Sequence, residues 1–142
     1  MSAYCHILVG LDLTEESRIV LQKATELGKN FNASITAAHI LEPLAFAYGG
    51  DMPIDLTEAQ AAMEEQATLR LAKLCEEFDI HQDRQIVTLG QPASELHEIA
   101  EKHDVDLIVV GSHGKHGLAM LFSSTAKGVV AGAKCDVLAV RV

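Results

Sequence analysis

Apolar positions along this chain follow two alternating rhythms. Short, nearly unbroken apolar runs recur at CHILVGL (Cys5 to Leu11), ASITAAHIL (Ala33 to Leu41), RQIVTL (Arg84 to Leu89), VDLIVV (Val105 to Val110) and DVLAVRV (Asp136 to Val142). Runs of this length predict strands. The unbroken character of VDLIVV predicts a strand buried on both faces. The intervening segments change to helical spacing. Val20, Ala24, Leu27, Gly28 and Phe31 fall at offsets of 4, 7, 8 and 11. Ala67, Leu71, Leu74, Cys75 and Phe78 repeat those offsets, as do Phe122, Ala126, Val129, Val130 and Ala133. Each set forms one face of an amphipathic helix. A shorter helix over GQPASELHEIAEKHD turns Leu96, Ile99 and Ala100 inward, with Pro92 in its first turn.

Local signals sharpen the element starts. Thr14 is the expected N-cap of the first helix, with Glu15 and Glu16 placed against the positive end of its dipole. Thr57 and Gln60 form a capping-box pattern at the start of the second. Between the second strand and that helix, EPLAFAYGGDMPID is a long loop with Gly-Gly and two prolines, a length often tied to function. Strands alternating with helices predict a parallel sheet with helices on both faces. In such sheets ligands gather at the C-terminal strand ends, where the strand order reverses.

Composition narrows the picture. The 142 residues suit one domain, 1–142, and 49% apolar content supplies a core. No stretch reaches the length of a membrane span, and the first residues lack a basic leader pattern, so a cytoplasmic protein with no membrane partner is expected. The net charge of −9 and only 4% aromatics argue against nucleic acid as a partner. Charge is uneven, however: residues 1–106 carry a net of −12 and residues 107–142 a net of +3. Cys5, Cys75 and Cys135 are odd in number, widely spaced and set in apolar surroundings, so small buried hydrophobes are expected rather than a disulfide or zinc site.

The basic part holds the most suggestive stretch, GSHGKHGLAMLFSST (Gly111 to Thr125). Glycines at 111, 114 and 117 allow close backbone approach, and Ser123, Ser124 and Thr125 lie near a helix start, where free N–H groups favour an anion. Neither a Walker A loop nor a G-x-G-x-x-G fingerprint is present. A glycine-rich turn with a hydroxyl-capped helix explains the same residues. VGSHG lacks the first glycine of a nucleophile elbow, and no acid follows to orient His113 or His116, so no catalytic residue is assigned. Those two histidines lack a third ligand nearby, and no metal site is assigned. The other five histidines are scattered and receive no role. Asp12, at the end of the first strand, shares the sheet edge with the loop. It suits a ribose or adenine contact, and it equally suits capping the next helix.

ILVGLDLTEES, DLIVVGSHGKHGL and KCDVLAVRV together resemble the universal stress protein family over essentially the whole chain. The resemblance implies an α/β fold with a single open five-stranded parallel sheet of order 3-2-1-4-5 and helices on both faces. It implies a split between members that bind ATP and members similar to universal stress protein A that do not. Binders carry G-x-x-G, nine residues, then G-[S/T]. Gly111 and Gly114 match its start and Thr125 its last hydroxyl, but Ser124 stands where the glycine belongs. Gly10 stands where binders usually have proline. These departures point to a degenerate nucleotide loop of Asp12, Gly111, Gly114, Ser124 and Thr125 with no cofactor; ATP is the alternative. Some family members are phosphorylated on Ser or Thr. The family order makes the fifth strand an edge, and Val137, Leu138, Ala139, Val140, Arg141 and Val142 put apolar groups on both its faces. A homodimer through that strand, acting with unidentified protein partners in stress survival, is the implied biology.

Overall fold

A computed structural model describes residues 3–44, 56–112 and 119–142; of residues 119–124 only the backbone is described. Five strands run β1 (His6–Gly10), β2 (Ser34–Leu41), β3 (Gln85–Leu89), β4 (Leu107–Gly111) and β5 (Asp136–Val140). Among the described residues, four helices of more than two turns connect them: α1 (Ser17–Phe31), α2 (Thr57–Glu76), α3 (Pro92–Lys102) and α4 (Ala119–Gly132). All strand pairs are parallel, in the order β3-β2-β1-β4-β5. The fold class and strand order are those expected.

The period-two pleat divides β1 and β4 between two cores. Ile7 and Val9 of β1, with Leu107 and Val109 of β4, face Val20, Leu21 and Ala24 of α1 and Ala67, Leu71 and Cys75 of α2. Leu8, Ile108 and Val110 face the other way, against Ala93, Leu96 and Ile99 of α3 and Ala126 and Val129 of α4. Both central strands are therefore apolar at successive positions, as a strand covered on both sides must be. Each fully buried Leu, Ile or Val contributes about 1.5–3 kcal/mol.

Several local expectations are corrected. The first helix begins at Ser17, not Thr14, and no side chain caps it; Thr14 instead belongs to the turn before it. Asn32 ends that helix in the left-handed region, with φ 54°. The capping box at α2 does not form: Leu56 is the N-cap, without a side-chain cap bond, and Gln60 Oε1 instead accepts from Leu44 N–H at 2.8 Å. Val130 is 58% exposed rather than inward. On α4 the side toward α3 is a stripe of small residues, where a Cβ on Gly128 would come within 2.9 Å of Ala93 Cβ and one on Gly132 within 2.9 Å of His97. That close approach rotates Val130 past the edge of the buried arc. Cys75 is buried, but Cys5 is exposed and Cys135 half-buried. Cys5 lies just before β1, and its N–H is held by Asp106 Oδ2 at 2.8 Å, so its side chain is not drawn into the core.

Candidate functional site

The order β3-β2-β1-β4-β5 reverses between β1 and β4. There the two strands separate toward different crossovers and leave a crevice. A cleft of about 580 Å³ opens at this point, lined by Gly10, Asp12, His39, Gly111, Thr125 and Arg70 among others. That volume lies within the usual range of small-molecule pockets. Its walls are mostly apolar, from Leu11, Val20, Leu41, Leu96, Val110 and Ala126. Of the nucleotide-loop residues singled out from the sequence, Asp12, Gly111 and Thr125 line this cleft, as do Gly10 and, from the expected dimer strand, Val142. Gly114 lies outside the described residues, as does the side chain of Ser124.

Asp12 organises the turn that forms one wall. Its Oδ1 accepts from Thr14 N–H at 3.1 Å, from the Thr14 hydroxyl at 2.7 Å and from the Ser17 hydroxyl at 2.9 Å. Ser17 is only 2% exposed, so Asp12 is its buried hydroxyl's acceptor. The residue between, Leu13, sits at φ 60°, a region that branched and bulky side chains rarely enter. Its carbonyl accepts from Arg70 Nη2 of α2 at 2.6 Å. Asp12 thus fixes the N–H that follows Leu13, and Arg70 fixes the carbonyl of Leu13 itself. The capping role open to Asp12 in the sequence is not observed, since Glu16 is the N-cap of α1 and no side chain caps it; the carboxylate instead holds the turn that leads into the helix.

The opposite wall has a component that sequence reasoning missed. His39 of β2 donates from Nδ1 to the Leu11 carbonyl at 2.7 Å. A carbonyl only accepts, so Nδ1 carries the proton in this bond. The signal was a polar residue near the C-terminal end of a largely apolar strand. Arg70 was also missed, because nothing in the spacing of α2 indicates that one of its cations reaches the first turn.

Gly10 shows why this floor is narrow. A Cβ there would lie 2.9 and 3.2 Å from the two Cδ atoms of Leu96 and 3.2 Å from Val110 Cγ1. Of the described helix starts on this side, that of α3 is capped by a side chain and that of α1 is not. Glu16 is the N-cap residue of α1, with Asp12 bonded into its first turn. At α3, Gln91 Oε1 accepts from Ser94 N–H at 2.8 Å, and Glu95 lies in the first turn. Among the described charged residues that line the cleft, Asp12, Glu16 and Glu42 face one cation, Arg70. Lys127, on α4, is exposed and is not part of this wall.

A second depression of about 570 Å³ lies between α1 and α2, lined by Arg18, Arg70, Lys73, Leu74, Glu76 and Glu77. Arg18 and Glu77 close an ion pair across it at 2.7 Å, with both side chains about half exposed. Its charges nearly cancel and it lies away from the strand ends, so it carries no chemistry of its own. At the far edge of the sheet, His6 joins the His103 carbonyl to the Thr36 hydroxyl, and the Tyr4 hydroxyl donates to Asp136 Oδ2 at 2.8 Å, which pushes the Tyr4 pKa up. These groups tie strand starts together. Among the described residues no His, Cys, Asp and Glu cluster has metal-holding geometry. No helix among them is long and apolar enough to cross a membrane.

A doubly wound sheet with an apolar cleft at its switch point defines a ligand-binding class of α/β domain. Within that class the comparisons are specific. The universal stress protein family model matches residues 3–141, and the chain belongs to this family, whose role is in the stress response. Universal stress protein A homolog 1 of Coxiella burnetii is 38% identical over 138 residues, covering 96% of this chain and 96% of the relative. Universal stress protein UspA from Lactobacillus plantarum superposes with a TM-score of 0.73 at 22% identity, covering 99% of this chain and 100% of that one. A universal stress protein solved in complex with cAMP has a TM-score of 0.63 at 25% identity, covering 98% of each chain.

Proposed function

We propose that this chain is a non-enzymatic, cytoplasmic stress-response protein of one domain, 1–142, which acts as a homodimer through protein partners and does not bind ATP. The observation that carries the reading is the charge of the cleft. Three carboxylates and one guanidinium line it among the described residues, and that guanidinium already donates to Leu13. A nucleoside triphosphate would bring several negative charges toward a wall of the same sign. Asp12 Oδ1 is committed to three donors of its own turn, which supports the same conclusion. So does Ser124 in place of the family's glycine. The Ser17 hydroxyl donates to the Asp12 carboxylate and the His39 imidazole to the Leu11 carbonyl, so these two groups are not paired with each other as nucleophile and base.

Equilibrium dialysis with labelled ATP tests this reading, and cAMP provides a second arm because a related structure contains it. No saturable binding below about 1 mM is expected, equivalent to a binding free energy weaker than about −4 kcal/mol. Saturation at micromolar ATP would sink the reading. The ATP-binding switch remains as a second reading because Gly111 and Thr125 do line a cleft of nucleotide size. Under the first reading, Ser124→Gly raises ATP affinity above that of the unmodified chain.

The homodimer is supported by the edge position of β5. Ser112 N–H donates to the Val140 carbonyl at 2.7 Å, and Val142 N–H donates to Ser112 Oγ at 3.4 Å. Alternate residues of a strand point their backbone groups to opposite sides. Those of Val137, Ala139 and Arg141 therefore point away from β4, toward a second copy. Val137 and Leu138 remain half-buried and Ala139 exposed, leaving apolar surface for it to cover. Ala139→Pro removes an outward N–H and none that pairs with β4, a position where an edge strand tolerates proline. Sedimentation at micromolar concentration should show a dimer for the parent chain and a monomer for Ala139→Pro. A parent chain that sediments as a monomer overturns the proposal.

A further inference from the structure

The sheet has a second edge, opposite β5. Among the described strands β3 pairs only with β2. Its sequence, QIVTL, holds no charge, proline or glycine, and its register runs without a bulge from Ala37↔Gln85 to Leu41↔Leu89. Proteins commonly blunt an edge with one of those devices, because its free N–H and C=O groups are a template for another strand. The Gly90 N–H donates to the Leu41 carbonyl at 2.9 Å, so Ile86 and Thr88, in phase with Gly90, turn their backbone groups toward β2. Those of Val87 and Leu89 turn outward. All five residues of β3 are half-buried, with Val87 and Leu89 packed on one core and Ile86 on the other. A further strand completes their cover on both faces.

The C-terminal end of this edge is acidic. Leu41 is the partner of Leu89, so Glu42 lies level with Gly90. Glu95 of α3 reaches the same place: a Cβ on Gly90 would lie 2.5 Å from Glu95 Cγ. On α2, Arg70 and Lys73 line the depression toward α1, so helical spacing puts Glu64, Thr68 and Ala72 on the opposite flank, over the β3 side of the sheet. At the other end Asp83 and Arg84, just before the strand, offset each other. A second copy docked here would set these carboxylates against their own kind, which disfavours self-pairing.

We propose that β3 is a docking edge for an extended segment of a partner protein, added as a sixth strand, in which apolar residues alternate with Lys or Arg. The inference gives a chemistry to the protein partners of the function proposed above and rests on that part of it. The residues of β3 stand outside the lining of the cleft. Main-chain bonds to Val87 and Leu89 supply affinity, and the carboxylates select basic side chains over acidic ones.

Hydrogen exchange on the full 15N-labelled chain reads the edge directly. The amides of Val87 and Leu89 should exchange at least about tenfold faster than those of Ile86 and Thr88, whatever the protein concentration. Two capped peptides, Lys-Val-Lys-Val-Lys-Val-Lys and Glu-Val-Glu-Val-Glu-Val-Glu, are then titrated to about 2 mM near neutral pH in about 50 mM salt. The basic peptide should shift and protect the Val87 and Leu89 amides and bind at least about tenfold more tightly than the acidic one. Glu95→Gln and Glu64→Gln should each narrow that preference by about twofold to threefold. Val87→Pro removes an outward N–H that β2 does not use, and should abolish binding while Thr88 stays protected. Val87 and Leu89 amides as slow as their neighbours in the free chain overturn the proposal, and so does protection that grows with protein concentration alone, which marks a second copy as the occupant. Equal binding of the two peptides, or shifts at Val137 and Ala139 in place of β3, also overturns it. ATP saturation or a monomeric parent chain would sink the earlier reading with the basic preference at β3 intact. Loss of that preference in a dimeric chain that does not bind ATP removes only this inference.

Discussion

Replacing Asp12 by alanine isolates what its carboxylate does. Three hydrogen bonds end on Oδ1, two from Thr14 and one from Ser17. The Thr14 donors are exposed and turn to water when the acceptor is lost, so each loss costs about 0.5–1 kcal/mol. Ser17 is 2% exposed, and its stranded hydroxyl adds about 1–3 kcal/mol. Leu13 also loses one of the two contacts that hold it at φ 60°. Together these give a destabilisation of about 2–5 kcal/mol. For a chain of this size that lowers the Tm by roughly 10 °C. Asp12→Asn keeps an oxygen in the same place and loses only the charge, so it should cost less than about 1.5 kcal/mol. Urea unfolding of the three proteins at one fixed concentration measures both differences, since dimerisation makes apparent stability depend on concentration. If Asp12→Ala is as stable as the parent, the carboxylate does not hold the turn, and its place at the cleft needs another explanation.

Further outcomes follow from the packing. Gly10→Ala places a Cβ 2.9 Å from Leu96 Cδ1 and should cost about 1–3 kcal/mol; combined with Leu96→Ala, which removes the opposing atoms, the two costs should sum to less than their separate values in a double-mutant cycle. For the same reason Gly10→Pro should destabilise the chain before it can alter any affinity. Burial pushes the Cys75 thiol up to about 11 from its ordinary 9.0, so the unfolded chain releases this proton first. Stability from the neutral thiol is fully present below pH 9 and is lost as pH rises toward 11, by about 2–3 kcal/mol. Urea unfolding between those limits should show a shallower alkaline decline for Cys75→Ala. At mildly alkaline pH, iodoacetamide should modify exposed Cys5 before buried Cys75, read by peptide mass spectrometry; the reverse order would contradict the burial of α2 against the sheet.

Much of the fold was legible because its physics is local and periodic. VDLIVV announced a strand covered on both faces, and the offsets of 4, 7, 8 and 11 identified the buried stripes of α1 and α2. The same method misplaced Val130, because the width of a helix's buried arc depends on its neighbours. Here α3 takes the Gly128 and Gly132 side of α4 and turns Val130 outward. The capping box at Thr57 failed for a similar reason: Gln60 found a partner in Leu44, sixteen positions earlier, which no spacing rule anticipates.

The site divides along the same line. The sequence by itself determined the family, the alternation that requires a parallel sheet, and the loop from Gly111 with Ser124 in place of a glycine. Those features reside in residue identity and short-range order. Only the tertiary structure decided that Asp12 is occupied by Thr14 and Ser17, that Arg70 reaches Leu13 from another helix, and that His39 of β2 bonds the Leu11 carbonyl. Charge and hydrogen-bond capacity at a cleft are sums over groups brought together from β1, β2, α1 and α2. Their sign becomes defined only when the chain closes around the switch point.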